Sequence, residues 1–273
     1  MTSLKSLKPA SSSELEGDLQ LLKGAVRDAG KLALGYFRKA VEVKRKLDGS
    51  EVSEADLAVD AELKTSLGSE RPSYGWLSEE TEDAAARLDR RLVWMVDPID
   101  GTNAFLRHIP EWTISAALVE NGIPVLGAVY NPATEEFFHA MRGEGAFLND
   151  EPISVTGRSD LSGSLIIASG GLFKKRIWQT PWPEVETRWV NSVAYRLARV
   201  AQGRADATLS LSAKSEWDLA AGVLLLEEAG GTATDHRGET FVFNRPVPRF
   251  QSLIAAPPKL HARLVERTSR IDL

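Results

Sequence analysis

Two aspartates stand three residues apart in the segment Trp-Met-Val-Asp97-Pro-Ile-Asp100-Gly-Thr102. The apolar run before Asp97 predicts a buried strand that ends at Pro98, because proline cannot donate a hydrogen bond to a sheet. Gly101 allows a sharp turn, and Thr102 is predicted to be the N-cap of a short helix. The carboxylates suit a hard cation, and the free N–H groups of Gly101 and Thr102 suit a phosphate. The combination favours metal-assisted phosphate chemistry.

The composition narrows the classes of protein to consider. The chain has 273 residues, of which 43% are apolar and 26% are charged, as in a globular protein with one large domain or two subdomains. The net charge of −5 argues against nucleic acid as the main partner. No apolar run is long enough to span a membrane, and the Ser- and Lys-rich start lacks the features of a signal peptide. We therefore expect a cytoplasmic protein without a membrane partner.

Other kinds of catalytic site find little support in the residues. The chain has no cysteine, which excludes disulfides, thiolate metal sites and a cysteine nucleophile. The four histidines show no metal-ligand spacing. Neither a Gly-x-Ser-x-Gly motif nor a P-loop signature is present. Oxygen ligands from aspartate and glutamate remain as the basis of a metal site.

The hydrophobic pattern predicts an α/β protein in two parts. Residues 1–12 are predicted to be a disordered tail, residues 13–155 an N-terminal α+β subdomain with an antiparallel sheet, and residues 156–273 a C-terminal α/β subdomain. Ser53 and Asp56 form a helix-capping pattern, and Asn121-Gly122 predicts a β-hairpin. Helices are predicted over residues 14–40, 54–67, 191–202, 218–229 and 259–267, and strands over residues 74–77, 92–96, 113–120, 125–131, 136–141, 164–169, 205–211 and 251–256.

Three segments resemble the inositol monophosphatase superfamily, whose members are magnesium-dependent, lithium-sensitive phosphomonoesterases. The segment from Asp97 to Thr102 is similar to its signature, and Trp-Asp218 before an apolar helix is similar to a second motif. Residues 46–56 resemble its Lys-x-Asp-x-Ser-x-Val-Thr-x-Ala-Asp pattern, with Ser53 in place of threonine. The resemblance covers roughly residues 15–260. It implies a layered αβαβα sugar-phosphatase fold, and we also expect a homodimer.

The resemblance further implies a catalytic centre with two or three Mg²⁺ ions. Its metal ligands would be Glu79, Asp97, the carbonyl of Ile99, Asp100 and Asp218. Thr102, oriented by Asp56, would position the attacking water together with Glu79, which would take its proton. Lys46 would lie near the metal and the phosphate. From the residues alone, Glu79 and Glu80 could equally begin a solvated helix, and Lys46 could belong to a solvated basic run.

The substrate, a small phosphorylated metabolite, stays open between a 3′(2′),5′-bisphosphate nucleotide and an inositol monophosphate. A histidinol phosphatase and a regulatory binding protein of the same fold are alternatives. Asn103 stands where inositol monophosphatases have a threonine-like residue, and no acid that could bind inositol hydroxyls lies near Leu211. The basic run Lys174-Lys175-Arg176, followed by Trp178, could bind a second phosphate and a base, and Lys214 lies near Asp218 in sequence. We therefore predict that adenosine 3′,5′-bisphosphate is hydrolysed at least as efficiently as inositol 1-phosphate.

Overall fold

The computed structural model describes residues 11–45, 49 and 51–273. Most of the predicted tail and Lys46 lie outside the described residues. The helices in the described part are α1 (Ser12–Tyr36), α2 (Glu54–Leu63), α3 (Thr102–Leu106), α4 (Val193–Ala201), α5 (Glu216–Glu228) and α6 (Pro258–Thr268). A π-helical turn, Lys64–Gly68, continues α2, and 3-10 turns span Ala85–Asp89 and Leu172–Lys174. None of these helices is long and apolar enough to cross a membrane.

Strands make up two large sheets and two short ribbons in the described part of the chain. They are β1 (Val43–Arg45), β2 (Glu51–Ser53), β3 (Gly75–Ser78), β4 (Leu92–Asp100), β5 (Thr113–Glu120), β6 (Ile123–Asn131), β7 (Glu136–Met141), β8 (Ala146–Leu148), β9 (Glu151–Pro152), β10 (Leu165–Ile167), β11 (Glu186–Arg188), β12 (Ala207–Ser210), β13 (Lys214–Ser215), β14 (Thr232–Thr234), β15 (Arg249–Phe250) and β16 (Leu253–Ala256). The ribbons are β1–β2 and β13–β15.

The larger sheet holds seven strands in chain order, β3 to β9. Only β3 and β4 run parallel in it, and the other neighbours are antiparallel. The predicted limits of β5 and β7 are confirmed residue for residue. The predicted hairpin is also confirmed, since Asn121 and Gly122 join β5 to β6 with φ angles of 49° and 86°, as a type I′ turn requires.

The smaller sheet has the strand order β11-β10-β12-β16-β14. Strands β11, β10 and β12 are parallel, and β16 is antiparallel to both of its neighbours. Residue 152 closes the larger sheet and residue 165 opens the smaller one, so each sheet is built from its own continuous stretch of chain.

Apolar side chains arrange these elements in five layers. Helices α1 and α2 pack on one face of the seven-stranded sheet. Helices α4 and α5 fill the space between its other face and the five-stranded sheet. Helix α6, with Trp178 and Trp182 from a loop, covers the outer face of the smaller sheet. The expected αβαβα layering and mixed α/β class are therefore confirmed, and α5, which carries Asp218, lies in the central layer.

The predicted ends of one strand and one helix are wrong. Strand β4 does not end at Pro98 but reaches Asp100, because its pairing with β5 shifts register between Asp97 and Asp100 and so requires no N–H from the proline. Helix α1 ends at Tyr36 rather than near residue 40, and Arg38 just beyond it has a φ of 64°, which no right-handed helix can continue through.

Helices α4 and α5 approach closely at Gly222. A Cβ at this position would lie 2.6 Å from Cδ1 and 2.7 Å from Cβ of Leu197. We expect Gly222→Ala to lower the free energy of unfolding by about 1–3 kcal/mol through overpacking. Gly24→Ala is the matched control, since Gly24 lies in α1 and a Cβ there would meet no other atom within 4 Å, and it should gain about 0.5–1 kcal/mol. Urea denaturation measures both, and equal shifts of the same sign would contradict the packing argument.

Candidate active site

Strand β4 delivers Asp97 and Asp100 to its carboxyl end, where both side chains are buried. Asp100 is held from a different layer: its Oδ2 accepts hydrogen bonds of 2.6 Å from Ser192 Oγ and 2.6 Å from the N–H of Ala194. Ser192 is also the N-cap of α4, where its Oγ accepts from the N–H of Tyr195. The start of α4 therefore fixes the orientation of the Asp100 carboxylate.

Gly101 makes the turn that follows β4. Its φ of 96° lies in the left-handed region, and a Cβ there would lie 2.9 Å from the carbonyl oxygen of Glu111. Gly101, not the predicted Thr102, is the N-cap of α3, because the turn places residue 101 at the boundary and leaves Thr102 inside the helix. Asn103 follows on the exposed side of α3.

The hydroxyl of Thr102 is turned towards α2 and β4. Its Oγ1 donates to Asp56 Oδ1 at 3.0 Å and to the carbonyl oxygen of Ile99 at 3.1 Å. Asp56 Oδ2 accepts from the N–H and the Oγ of Ser53, which completes the capping box at the start of α2. The predicted cap is thus confirmed. Burial raises the pKa of Asp56, and the hydrogen bonds from Ser53 and Thr102 oppose that rise.

Three acids from separate elements meet beside this turn. Carboxylate oxygens of Glu79, just after β3, Asp97 and Asp218, in the first turn of α5, all lie within 4.8 Å of one another. Asp218 is held there by the N–H of Ser215, which donates to its Oδ2 at 3.0 Å. The structure therefore brings together predicted ligands from three separate segments of the chain.

The electrostatics of this acidic cluster favour a bound cation. Burial, followed by the charges of Glu79 and Asp100, raises the pKa of Asp97 well above its usual range. Burial and the charges of Asp100 and Glu79 likewise raise the pKa of Asp218 to about 8. Asp97 Oδ1 is buried without a hydrogen-bond partner among the described residues. A buried carboxylate oxygen without a donor is unfavourable, whereas oxygen atoms of this kind are the ligands of a hard cation.

A cavity of about 490 Å³ adjoins the acidic cluster, and Asp218 lies in its wall. Lys214, a predicted substrate contact, lines it together with Lys175, from the predicted basic run, and with Arg196 and Arg249, which the sequence did not single out. Lys174 lies elsewhere, in a separate cavity with Phe173 and Trp182. The basic run of residues 174–176 indicated a lysine in the cavity, but a loop without periodicity does not reveal which lysine enters it.

The sequence profile described as "Inositol monophosphatase family" matches residues 14–273. The chain belongs to the inositol monophosphatase family. An inositol-1-monophosphatase from Rhizobium meliloti (strain 1021) is 37% identical over 230 residues, covering 81% of this chain and 86% of the relative. A histidinol-phosphatase from Chlorobaculum parvum is 32% identical over 238 residues, covering 83% and 89%.

Solved structures agree with this assignment. The crystal structure of the extragenic suppressor protein suhB from Bartonella henselae aligns with a TM-score of 0.80 and 30% identity, over 93% of this chain and 99% of that one. As a member of the inositol monophosphatase family, this chain is an enzyme of the phosphatase class. The acidic cluster is its candidate metal centre.

A buried guanidinium ties together the segments that carry two of the clustered acids. Arg87 donates from Nε and Nη2 to the carboxylate of Asp83, four residues after Glu79, at 2.6 and 2.8 Å. It also donates from Nη1 to Asn244 Oδ1 at 2.7 Å and from Nη2 to the carbonyl oxygen of Arg245 at 2.9 Å. The Arg87 side chain thus joins the loop after β3 to the segment before β15.

The same segment is bound to α5 from its other side. The N–H groups of Asn244 and Arg245 donate to the two carboxylate oxygens of Glu216, at 2.7 and 3.0 Å. Glu216 is fully buried and stands two residues before Asp218. Arg87, residues 244–245 and Glu216 therefore form a continuous hydrogen-bonded link between the Glu79 loop and the helix of Asp218.

We expect Arg87→Leu to lower the free energy of unfolding by about 3 kcal/mol, because it leaves a carboxylate, an amide oxygen and a carbonyl without their donor. Arg90→Leu is the control: Arg90 is an exposed residue of the same segment, so its effect should stay within about 0.5 kcal/mol. Chemical denaturation followed by tryptophan fluorescence compares the two variants. Similar losses in both would contradict the role of this link.

Proposed function

We propose that this protein is a Mg²⁺-dependent phosphomonoesterase that hydrolyses a small phosphate monoester by direct attack of water. The observation that carries the proposal is the meeting of Glu79, Asp97 and Asp218 oxygens within 4.8 Å, with Asp97 Oδ1 buried and unpaired among the described residues. A set of oxygen ligands without sulfur or imidazole suits Mg²⁺. No covalent intermediate is needed, and no nucleophilic side chain is assigned.

The metal ligands in this proposal are the carboxylates of Glu79, Asp97, Asp100 and Asp218 and the carbonyl oxygen of Ile99. These groups could share two or three ions. When bound, Mg²⁺ would supply Lewis-acid chemistry, by lowering the pKa of water and neutralising charge on the phosphoryl group. Ser192 and the N–H of Ala194 keep Asp100 in place for this task.

Thr102 and Glu79 are proposed to orient and deprotonate the attacking water. The single hydroxyl proton of Thr102 serves either Asp56 Oδ1 or the carbonyl of Ile99, so its oxygen keeps lone pairs for a hydrogen bond from water. Asp56 is in turn fixed by Ser53. Glu79, less buried than Asp97, would accept the proton that the water loses. These residues thus orient the nucleophile and remove its proton without moving the backbone.

The substrate proposed is a small phosphorylated metabolite, in agreement with the names of the two relatives. The cavity beside Asp218 has a volume suited to one such molecule. Leu211 lies in its wall, and among the described lining residues no carboxylate besides Asp218 could accept hydrogen bonds from several hydroxyls. The amine of histidinol phosphate would also face the cationic side chains of this wall. Both features favour a bisphosphate nucleotide over an inositol monophosphate or histidinol phosphate.

Metal removal tests the proposal most directly. Excess chelator should abolish phosphate release, and added Mg²⁺ should restore it. Asp97→Asn should lower kcat by at least about a thousandfold, because it removes charge where the carboxylates converge. Asp89→Asn removes an exposed carboxylate that lies outside the cluster and should keep full activity. Activity that persists in excess chelator would contradict the metal mechanism.

For the substrate, we expect kcat/KM for adenosine 3′,5′-bisphosphate to equal or exceed that for inositol 1-phosphate on the same preparation. The physical reason is the excess of cationic over anionic side chains in the cavity wall. Phosphate release in Mg²⁺ measures both substrates, with histidinol phosphate as a third. A preference of about tenfold or more for inositol 1-phosphate, worth about 1.4 kcal/mol, would rule out this choice and leave the metal centre unaffected.

A further inference from the structure

We propose that the cavity beside Asp218 is a subsite for a second anionic group of the substrate, formed by Lys175, Lys214 and Arg249. The inference rests on the proposed phosphatase function and names the class of substrate: a phosphate monoester that carries a second phosphate. The reacting phosphate would lie at the acidic cluster and the second phosphate would lie in this cationic subsite.

The charge of the cavity wall is the first support. Four cationic side chains line it, those of Lys175, Arg196, Lys214 and Arg249, and Asp218 is the only acid among the described lining residues. This is a local excess of positive charge in a chain whose net charge is −5. Serines make up much of the remaining polar surface and offer hydroxyl donors. Such a wall attracts an anion and repels a cation.

Arg196 contributes mainly its charge, because Nε and Nη2 donate to backbone carbonyls outside the cavity. Its Nε donates to the carbonyl of Val190 at 2.6 Å and its Nη2 to the carbonyl of Asn191 at 3.0 Å. Its guanidinium also lies 4.2 Å from the ring centroid of Trp189. The side chain is buried and held in place, so it acts as a fixed cation in the cavity wall.

Lys214 is held in the subsite by neutral groups. Its Nζ donates to the carbonyls of Ser212 and Ala213, at 3.1 and 3.0 Å, and to Ser212 Oγ at 2.9 Å. Because all three oxygens are neutral, an incoming phosphate oxygen would replace one of them with a charge-assisted hydrogen bond. Lys214 shares the cavity wall with Asp218, a member of the acidic cluster. It can therefore serve the part of the subsite nearest to the reacting phosphate.

Lys175 and Arg249 supply the free donors. Both residues are exposed and come from different elements, and no hydrogen bond or ion pair joins their side chains to the described residues. The ribbon of β13 and β15 pairs Ser215 with Arg249, which fixes the arginine next to Lys214, the other residue of β13. Lys175 reaches the cavity from the turn after β10. A guanidinium and an ammonium from separate elements suit a doubly charged phosphate.

Two matched pairs of substrates test the proposal in Mg²⁺. They are adenosine 3′,5′-bisphosphate with adenosine 3′-monophosphate, and inositol 1,4-bisphosphate with inositol 1-phosphate. Within at least one pair, kcat/KM for the bisphosphate should exceed that for the monophosphate by about tenfold or more. The difference should lie chiefly in a lower KM, because the second phosphate gains charged hydrogen bonds when the substrate binds. The pair with the larger ratio tells whether the second phosphate belongs to a nucleotide or to a polyol.

Variants assign the effect to this cavity. Lys175→Ala and Arg249→Ala should each lower the bisphosphate-to-monophosphate ratio by about fivefold or more, and Lys214→Ala should do the same. Arg176→Ala is the control, because Arg176 is an exposed neighbour of Lys175 that does not line the cavity, and it should leave the ratio unchanged. A raised ratio that none of the three cavity variants lowers would overturn the assignment.

The outcomes separate this subsite from the proposed function. Ratios near one in both pairs, with the monophosphates hydrolysed, would overturn the subsite and leave the phosphatase function intact. Absence of hydrolysis for all four compounds would count against the proposed function. In that case calorimetric titration with Ca²⁺ in place of Mg²⁺ still decides the subsite: tighter binding of a bisphosphate than of its monophosphate partner supports it, and equal binding overturns it.

Discussion

Repulsion among buried carboxylates is the constraint on which the rest of this structure depends. Asp97, Asp100 and Asp218 are crowded with Glu79 near the end of β4. Burial raises the pKa values of all three aspartates, and repulsion from neighbouring carboxylates adds to the rise for Asp97 and Asp218. Such a group does not assemble by its own attraction. It exists because the apolar layers on both sides of the larger sheet, and the helix α5 between the two sheets, place the acids there. The stability of the core is thereby linked to the chemistry of the site.

Three of the acids, Asp56, Asp100 and Asp218, accept hydrogen bonds from neutral donors. These donors are backbone N–H and hydroxyl groups at helix starts. A direct Lys or Arg partner would stabilise the apo site, but it would also compete with a metal for the same oxygens. Donors from helix starts orient a carboxylate and leave its remaining oxygen available. Glu216 likewise accepts its hydrogen bonds from two backbone N–H groups, those of Asn244 and Arg245.

The sequence predicted those features that arise from local pattern. Strand limits at β5 and β7, the Asn121-Gly122 turn and the Ser53 cap follow from alternation, turn chemistry and capping, and the acids follow from motifs. The two-residue strands β9, β13 and β15 were missed because their ladder partners alone define them. The cavity could not be predicted either, because residues 175, 196 and 249 come together only through tertiary packing, and nothing local distinguishes Lys175 from Lys174.

The opposite charges of the cluster and the cavity wall act on each other through Asp218. Its carboxylate interacts favourably with Lys214 and Arg196 while it is repelled by Asp100 and Glu79. Burial lowers the pKa of Lys214, so that this ammonium too is in an unfavourable environment that the charge of Asp218 partly relieves. A bound divalent cation would stabilise the clustered carboxylates, and a bound anion would stabilise the cationic side chains of the cavity wall. A substrate with negative charge at both ends, bound together with metal, would satisfy both groups at once, which neither a lone metal nor a neutral ligand can do.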